Sequence, residues 1–160
     1  MLNLGRWLGF GHKPPPEAGK RRADDRHSVS PRTNALVRVV VITADDRFHS
    51  FVRDIAATGE WTVFRALTIE QALAILRSES VPLVIYDGDT ADTHWREAIE
   101  RLTKSQPGLC VMLASTVADE YLRSEVLRHR GYDILPRSAD REQMVRALQF
   151  AWFWTTRSRM

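Results

Sequence analysis

The sequence predicts an α/β fold, a parallel five-stranded sheet covered by helices on both faces. Three observations carry that prediction. Five short apolar runs rich in β-branched residues recur along residues 35–156. Each is followed by a segment whose apolar residues return at helical spacing. The connections are short, which favours right-handed crossovers between parallel strands.

The first strand is expected over Val37–Thr43, whose unbroken VRVVVIT suits a strand buried on both faces. Phe48, Phe51, Val52, Ile55 and Ala56 then mark a helix, with Asp45 and Asp46 as acids at its positive end. Trp61–Ala66 is the second strand. Thr68 and Gln71 form a capping box ahead of Ala72, Leu73, Ile75 and Leu76. Leu83–Tyr86 is the third strand, and Trp95, Ile99 and Leu102 mark a helix ending near Pro107–Gly108. Leu109–Ala114 is the fourth strand. Thr116 with Asp119 is expected to open the next helix, through Tyr121, Leu122, Val126 and Leu127, and Gly131 to close it. Tyr132–Leu135 is the fifth strand. A last helix from Ser138–Asp140 carries Met144, Val145, Leu148, Ala151 and Trp152.

Composition narrows the function classes. The chain of 160 residues is 44% hydrophobic and 27% charged, a globular balance large enough for a core without staples. Its single cysteine, Cys110, builds neither a disulfide frame nor a zinc site. No apolar run reaches the ~20 residues of a membrane span. The opening MLNLGRWLGFGHKPPP lacks a long apolar core and a small-residue cleavage site, so a cytoplasmic protein is expected. Residues 1–34 hold seven Lys/Arg against three Asp/Glu, with Pro14–Pro16 and Lys20–Arg22 among them. That stretch reads as a disordered basic tail. The domain of residues 35–156 carries no basic excess, so nucleic acid is not the expected partner. His12, His27, His49, His94 and His129 show no ligand spacing.

In a parallel sheet, sites form beyond the carboxyl ends of the strands. Those positions hold an acid, Asp87, a hydroxyl, Ser115, and a cation, Arg137. Phosphoryl transfer to a carboxylate needs such a set: a nucleophile, a donor for the phosphoryl oxygens and a charge to offset theirs.

At these positions the chain resembles the response-regulator receiver (CheY-like) family. VPLVIYDGD is similar to that family's third strand, which ends in the phospho-accepting aspartate, and Asp87 stands there. VMLASTVADE resembles the fourth strand with its switch hydroxyl, filled by Ser115. GYDILPRS resembles the fifth-strand segment, with Arg137 in the lysine place and Ser138 in the proline place. The resemblance covers residues 36 to about 152 and implies a (βα)5 flavodoxin-like, doubly wound sheet of strand order 2-1-3-4-5. It implies a phosphorelay signalling module in a two-component system, with a histidine kinase or another signalling protein as partner. Asp87 would be the phospho-acceptor, Ser115 the switch hydroxyl and Arg137 the phosphate-contacting cation.

The departures bear on function. Receivers end the first strand in two acids that hold Mg²⁺; here Thr43 and Ala44 stand in that place. Asp87, with Asp45 one residue beyond the pair, would be the remaining metal ligands, so metal assistance is expected to be weak or absent. Ile134 takes the usual aromatic switch place, with Tyr132 close by. The chain is thus expected to be a degenerate receiver. Output would be protein–protein contact through the fourth and fifth strand–helix units. The contact would be biased by phosphorylation or, as an alternative, constitutive in a pseudo-receiver docking scaffold. The chain ends eight residues after Trp152, so no fused output domain is expected. Phe150–Trp154 (FAWFW) holds more apolar residues than one helical stripe needs, which suits a partner or homodimer contact.

An enzyme is the weaker reading. YDGDT loosely resembles the motif of haloacid-dehalogenase-type phosphatases, with Asp87 as nucleophile and Asp89 as general acid–base. That motif normally follows an early strand. Only 73 residues remain after Asp87, and no later acidic pair ends a strand.

Overall fold

A computed structural model describes residues 37–59 and 61–157. The tail read over residues 1–34 lies outside the described residues. Five strands alternate with five helices: β1 Val37–Ile42, α1 Asp46–Thr58, β2 Trp61–Ala66, α2 Ile69–Ser78, β3 Leu83–Asp87, α3 Trp95–Ser105, β4 Cys110–Ser115, α4 Glu120–Arg128, β5 Asp133–Pro136 and α5 Arg141–Arg157. All neighbouring strands pair in parallel, in the order β2-β1-β3-β4-β5. The flavodoxin-like expectation is met.

The strand runs read as continuously apolar because successive side chains enter two different cores. Val40 and Ile42 of β1, Val84 and Tyr86 of β3, and Val111 and Leu113 of β4 face one side. There they meet Ile69 and Ala72 of α2, Ile99 and Leu102 of α3, and Val126 of α4. Val39 and Val41, Leu83 and Ile85, and Met112 and Ala114 face the other side, against Phe48, Val52 and Ile55 of α1 and Met144 and Leu148 of α5. Burying both faces ties each strand to its register, since a one-residue slip would exchange the two sets.

Helix starts are set by local acceptors. The Thr68 hydroxyl accepts from the Gln71 N–H at 3.2 Å, and the Gln71 side chain accepts from the Leu67 N–H at 2.8 Å. At the head of α5 Asp140 and Gln143 pair reciprocally, each side chain accepting from the other residue's N–H. α4 differs from expectation. Its cap is Asp119, which accepts from the Leu122 N–H at 2.8 Å, and Thr116 lies outside the helix. The end of α4 also differs. The residue in left-handed backbone is Arg130, with φ 70°, rather than Gly131.

Gly131 is required by proximity. Its N–H donates to the Val126 carbonyl at 2.8 Å, and an added Cβ would collide with Val126 Cγ1 while standing 3.0 Å from Val126 O and 3.2 Å from Ile99 Cδ1. Backbone cannot yield as a side-chain tip can. Gly131→Ala is therefore expected to lower stability by ~1–3 kcal/mol, read as a lower midpoint in urea unfolding with an unchanged slope.

Candidate functional site

The strand registers assemble the rim. Ile42 pairs with Tyr86, Asp87 with Ala114, and Ser115 with Pro136, so the residues that follow β1 and β5 meet the last residues of β3 and β4. Asp87, Ser115 and Arg137 converge there, as the sequence led us to expect, and Asp45 joins them from the head of α1.

Asp87 has no exposed surface. A charge so placed is tolerable only with full pairing. Its Oδ2 accepts from the Thr43 hydroxyl at 2.6 Å and the Thr90 hydroxyl at 2.7 Å. Its Oδ1 accepts from the Asp89 N–H at 3.1 Å. Nη1 of Arg137 donates to both oxygens at 3.1 Å. Nη2 of the same guanidinium donates to Asp45 Oδ2. Asp89 Oδ2 stands 3.9 Å from Nη1, and the ring of Phe48 lies under the guanidinium carbon at 4.9 Å. One planar fork thus serves several acids, which a lysine ammonium could not do in the same plane.

Asp45 has two tasks. Its Oδ1 caps α1, accepting from the Arg47 N–H at 2.8 Å and the Phe48 N–H at 3.3 Å. Its Oδ2 is the one on Arg137. The Phe48 N–H first, then the Arg47 N–H and Arg137, hold its carboxyl below the ordinary range against a partial loss of hydration.

Ser115 turns toward Asp89, its Oγ 3.5 Å from Asp89 Oδ1, and accepts from the Val117 N–H at 3.1 Å. Thr116 donates both its N–H, at 2.9 Å, and its hydroxyl to Asp89 Oδ2. Asp89, the general acid–base of the phosphatase reading, is thereby tied to the β4–α4 connection. The turn that carries it is anchored at its far end by Tyr86, whose buried hydroxyl donates to the Thr93 carbonyl. Burial pushes that phenol up to about 12, so it remains a donor at neutral pH.

The sequence gives Thr90 and Thr116 no part in the site: both follow strand ends, and Thr116 reads there only as a helix opener. Thr90 lies three residues after Asp87 in a turn, and only the turn's geometry aims its hydroxyl back at the acid. Tyr132, noted as a neighbour of the aromatic switch place, instead packs against Trp154, ring centroids 5.4 Å apart, at the opposite end of β5 from Arg137. Ile134 is buried among the residues of the α2–α4 side.

A divalent ion would need oxygen ligands with free lone pairs turned toward a common point. Here the Thr43 hydroxyl accepts from the Asp45 N–H at 3.0 Å while it donates to Asp87, and Asp45 and Asp87 are both engaged by Arg137. Among the described residues no group of three or more His, Cys, Asp or Glu is arranged to hold a metal ion. The donor set does not fit Mg²⁺, and Arg137 supplies the positive charge at the rim.

No protein-family model and no curated protein matches the chain. Solved structures do match. A CheY-like response-regulator receiver domain protein from Methanospirillum hungatei superposes with a TM-score of 0.69 at 16% identity, over 78% of this chain and 99% of that one. A chemotaxis response regulator of Vibrio cholerae gives 0.66 at 14% identity, over 72% and 98%. A pilus assembly-related protein from Burkholderia pseudomallei gives 0.63 at 23% identity, over 74% and 91%. The fold is that of CheY-like receiver domains. No helix among the described residues is long and apolar enough to cross a membrane.

Two outcomes check the site. Arg137→Met leaves Asp87 buried without its cation and is expected to lower stability by ~3 kcal/mol in urea unfolding, with Asp87→Asn in the same chain restoring much of the loss. Asp45 has a lowered folded value, so its stabilising effect is complete above the ordinary carboxylate range and is lost as pH falls through the lowered one. The stability difference between the wild type and Asp45→Asn should therefore be constant above the ordinary carboxylate range and shrink as pH falls through the lowered value.

Proposed function

We propose that the chain is a receiver-like signalling module that acts by protein–protein contact, and that its rim works as a pseudo-receiver site, without phosphoryl transfer. The observation that carries this reading is the state of Asp87. A phospho-acceptor must offer a carboxylate oxygen to a phosphodonor, normally beside a cation that steadies the transferring group. Asp87 is fully buried, and both its oxygens are claimed by hydroxyls, an N–H and a guanidinium. Bonds of that kind stabilise the charged ground state and lower its nucleophilicity.

The receiver fold supports the signalling part of the reading. The rim supports constitutive docking over phosphorylation by a histidine kinase, the other mode the sequence leaves open. The partner is then a signalling protein that recognises one surface of the module rather than a phosphorylated form of it.

The test is incubation of the full chain with acetyl phosphate and Mg²⁺, followed by intact mass measurement. No added phosphoryl group is expected. A phosphoryl adduct that disappears in Asp87→Ala would restore Asp87 as the acceptor and overturn the pseudo-receiver reading.

A further inference from the structure

Asp89 lies two residues beyond the buried acid, in the turn between β3 and α3, yet its carboxylate reaches across to the β4–α4 connection. Three donors and a neighbouring cation converge on it. The Thr116 N–H stands at 2.9 Å, the Thr116 hydroxyl bonds the same oxygen, Ser115 Oγ is 3.5 Å from the other oxygen, and Arg137 Nη1 is 3.9 Å away. A backbone N–H, two hydroxyls and a guanidinium around one point make a slot for an oxyanion.

Both sides of the slot are built in advance. On the donor side, the Val117 N–H holds Ser115 Oγ at 3.1 Å, and the Arg137 N–H holds the Ser115 carbonyl at 3.0 Å. On the acceptor side, the Gly88 N–H donates to the Ala114 carbonyl at 2.9 Å, and the Asp89 N–H to Asp87 Oδ1 at 3.1 Å. Gly88 lets the turn lie close on β4, since a Cβ there would stand 2.9 Å from Leu113 Cδ1.

We propose that Ser115, Thr116 and Arg137 form an oxyanion-binding slot and that Asp89 is its tethered ligand. Asp89 then supplies the anion of the slot, and Arg137 its cation. The lock holds the β4–α4 connection, and the start of α4 beyond it, in one conformation. This deepens the pseudo-receiver reading and rests on it, because a phosphoryl group on Asp87 would compete with Asp89 for the same donors. The Asp89 side chain keeps 30% of its surface exposed, so small anions in solution can reach the slot once it is emptied.

The experiment is amide hydrogen exchange by NMR on the full chain. In Asp89→Ala, exchange at Thr116 is expected to rise at least about tenfold, the loss of one charge-assisted bond. Sodium formate should reverse the rise saturably, whereas sodium chloride at equal ionic strength should not. Asp89→Asn keeps an acceptor without the charge and should fall between the wild type and Asp89→Ala. Unchanged exchange at Thr116 in both variants overturns the slot, as does an equal response to formate and chloride. Phosphoryl labelling of the wild type would instead sink the reading beneath it and leave the exchange result standing.

Discussion

The rim is organised around one electrostatic demand: a carboxylate with no exposed surface at the end of the central strand must be neutralised from within. Asp87 cannot draw on water, and an unpaired charge there would cost several kcal/mol. The surrounding residues answer that demand. Thr43 and Thr90 give hydroxyls, the turn after β3 gives an N–H, and Arg137 gives the opposite charge. Asp45 holds the far side of the guanidinium while it starts α1, so the helix and the ion pair position each other.

Arginine is the residue that makes this arrangement self-contained. Its fork offers directed N–H donors in a plane, reaches Asp87 and Asp45 at once, and lies on the face of Phe48. A metal ion would have required those same carboxylates to point their lone pairs inward. Threonine at position 43, just after β1, is a donor to the acid rather than a ligand beside it.

Much of this was legible in the sequence, for identifiable reasons. Strand positions follow from β-branched runs buried on both faces, and the rim follows from the rule that chemistry gathers where parallel strands end. Asp87, Ser115 and Arg137 were found that way. The receiver resemblance supplied the strand order. What sequence could not show depends on turns and long-range competition. Thr116 fits a cap pattern with Asp119, yet an acid 27 residues away claims its N–H and hydroxyl, leaving Asp119 to cap α4 alone. Gly131 reads as a left-handed stop, yet Arg130 takes that conformation, and glycine is needed because Val126 lies too near. The FAWFW segment does divide as its excess of apolar residues suggested: Ala151 is buried and Trp152 half-buried, while Phe150 and Phe153 stand exposed.

The separation of Asp87 from Arg137 has a consequence for biogenesis. The acid and its cation are fifty residues apart, and the cation is delivered only once β5 has joined the sheet. During synthesis the nascent chain presents β3 and its carboxylate well before the guanidinium emerges from the ribosome. The ion pair therefore ties the neutral burial of Asp87 to the presence of the fifth strand, the last of the sheet in chain order.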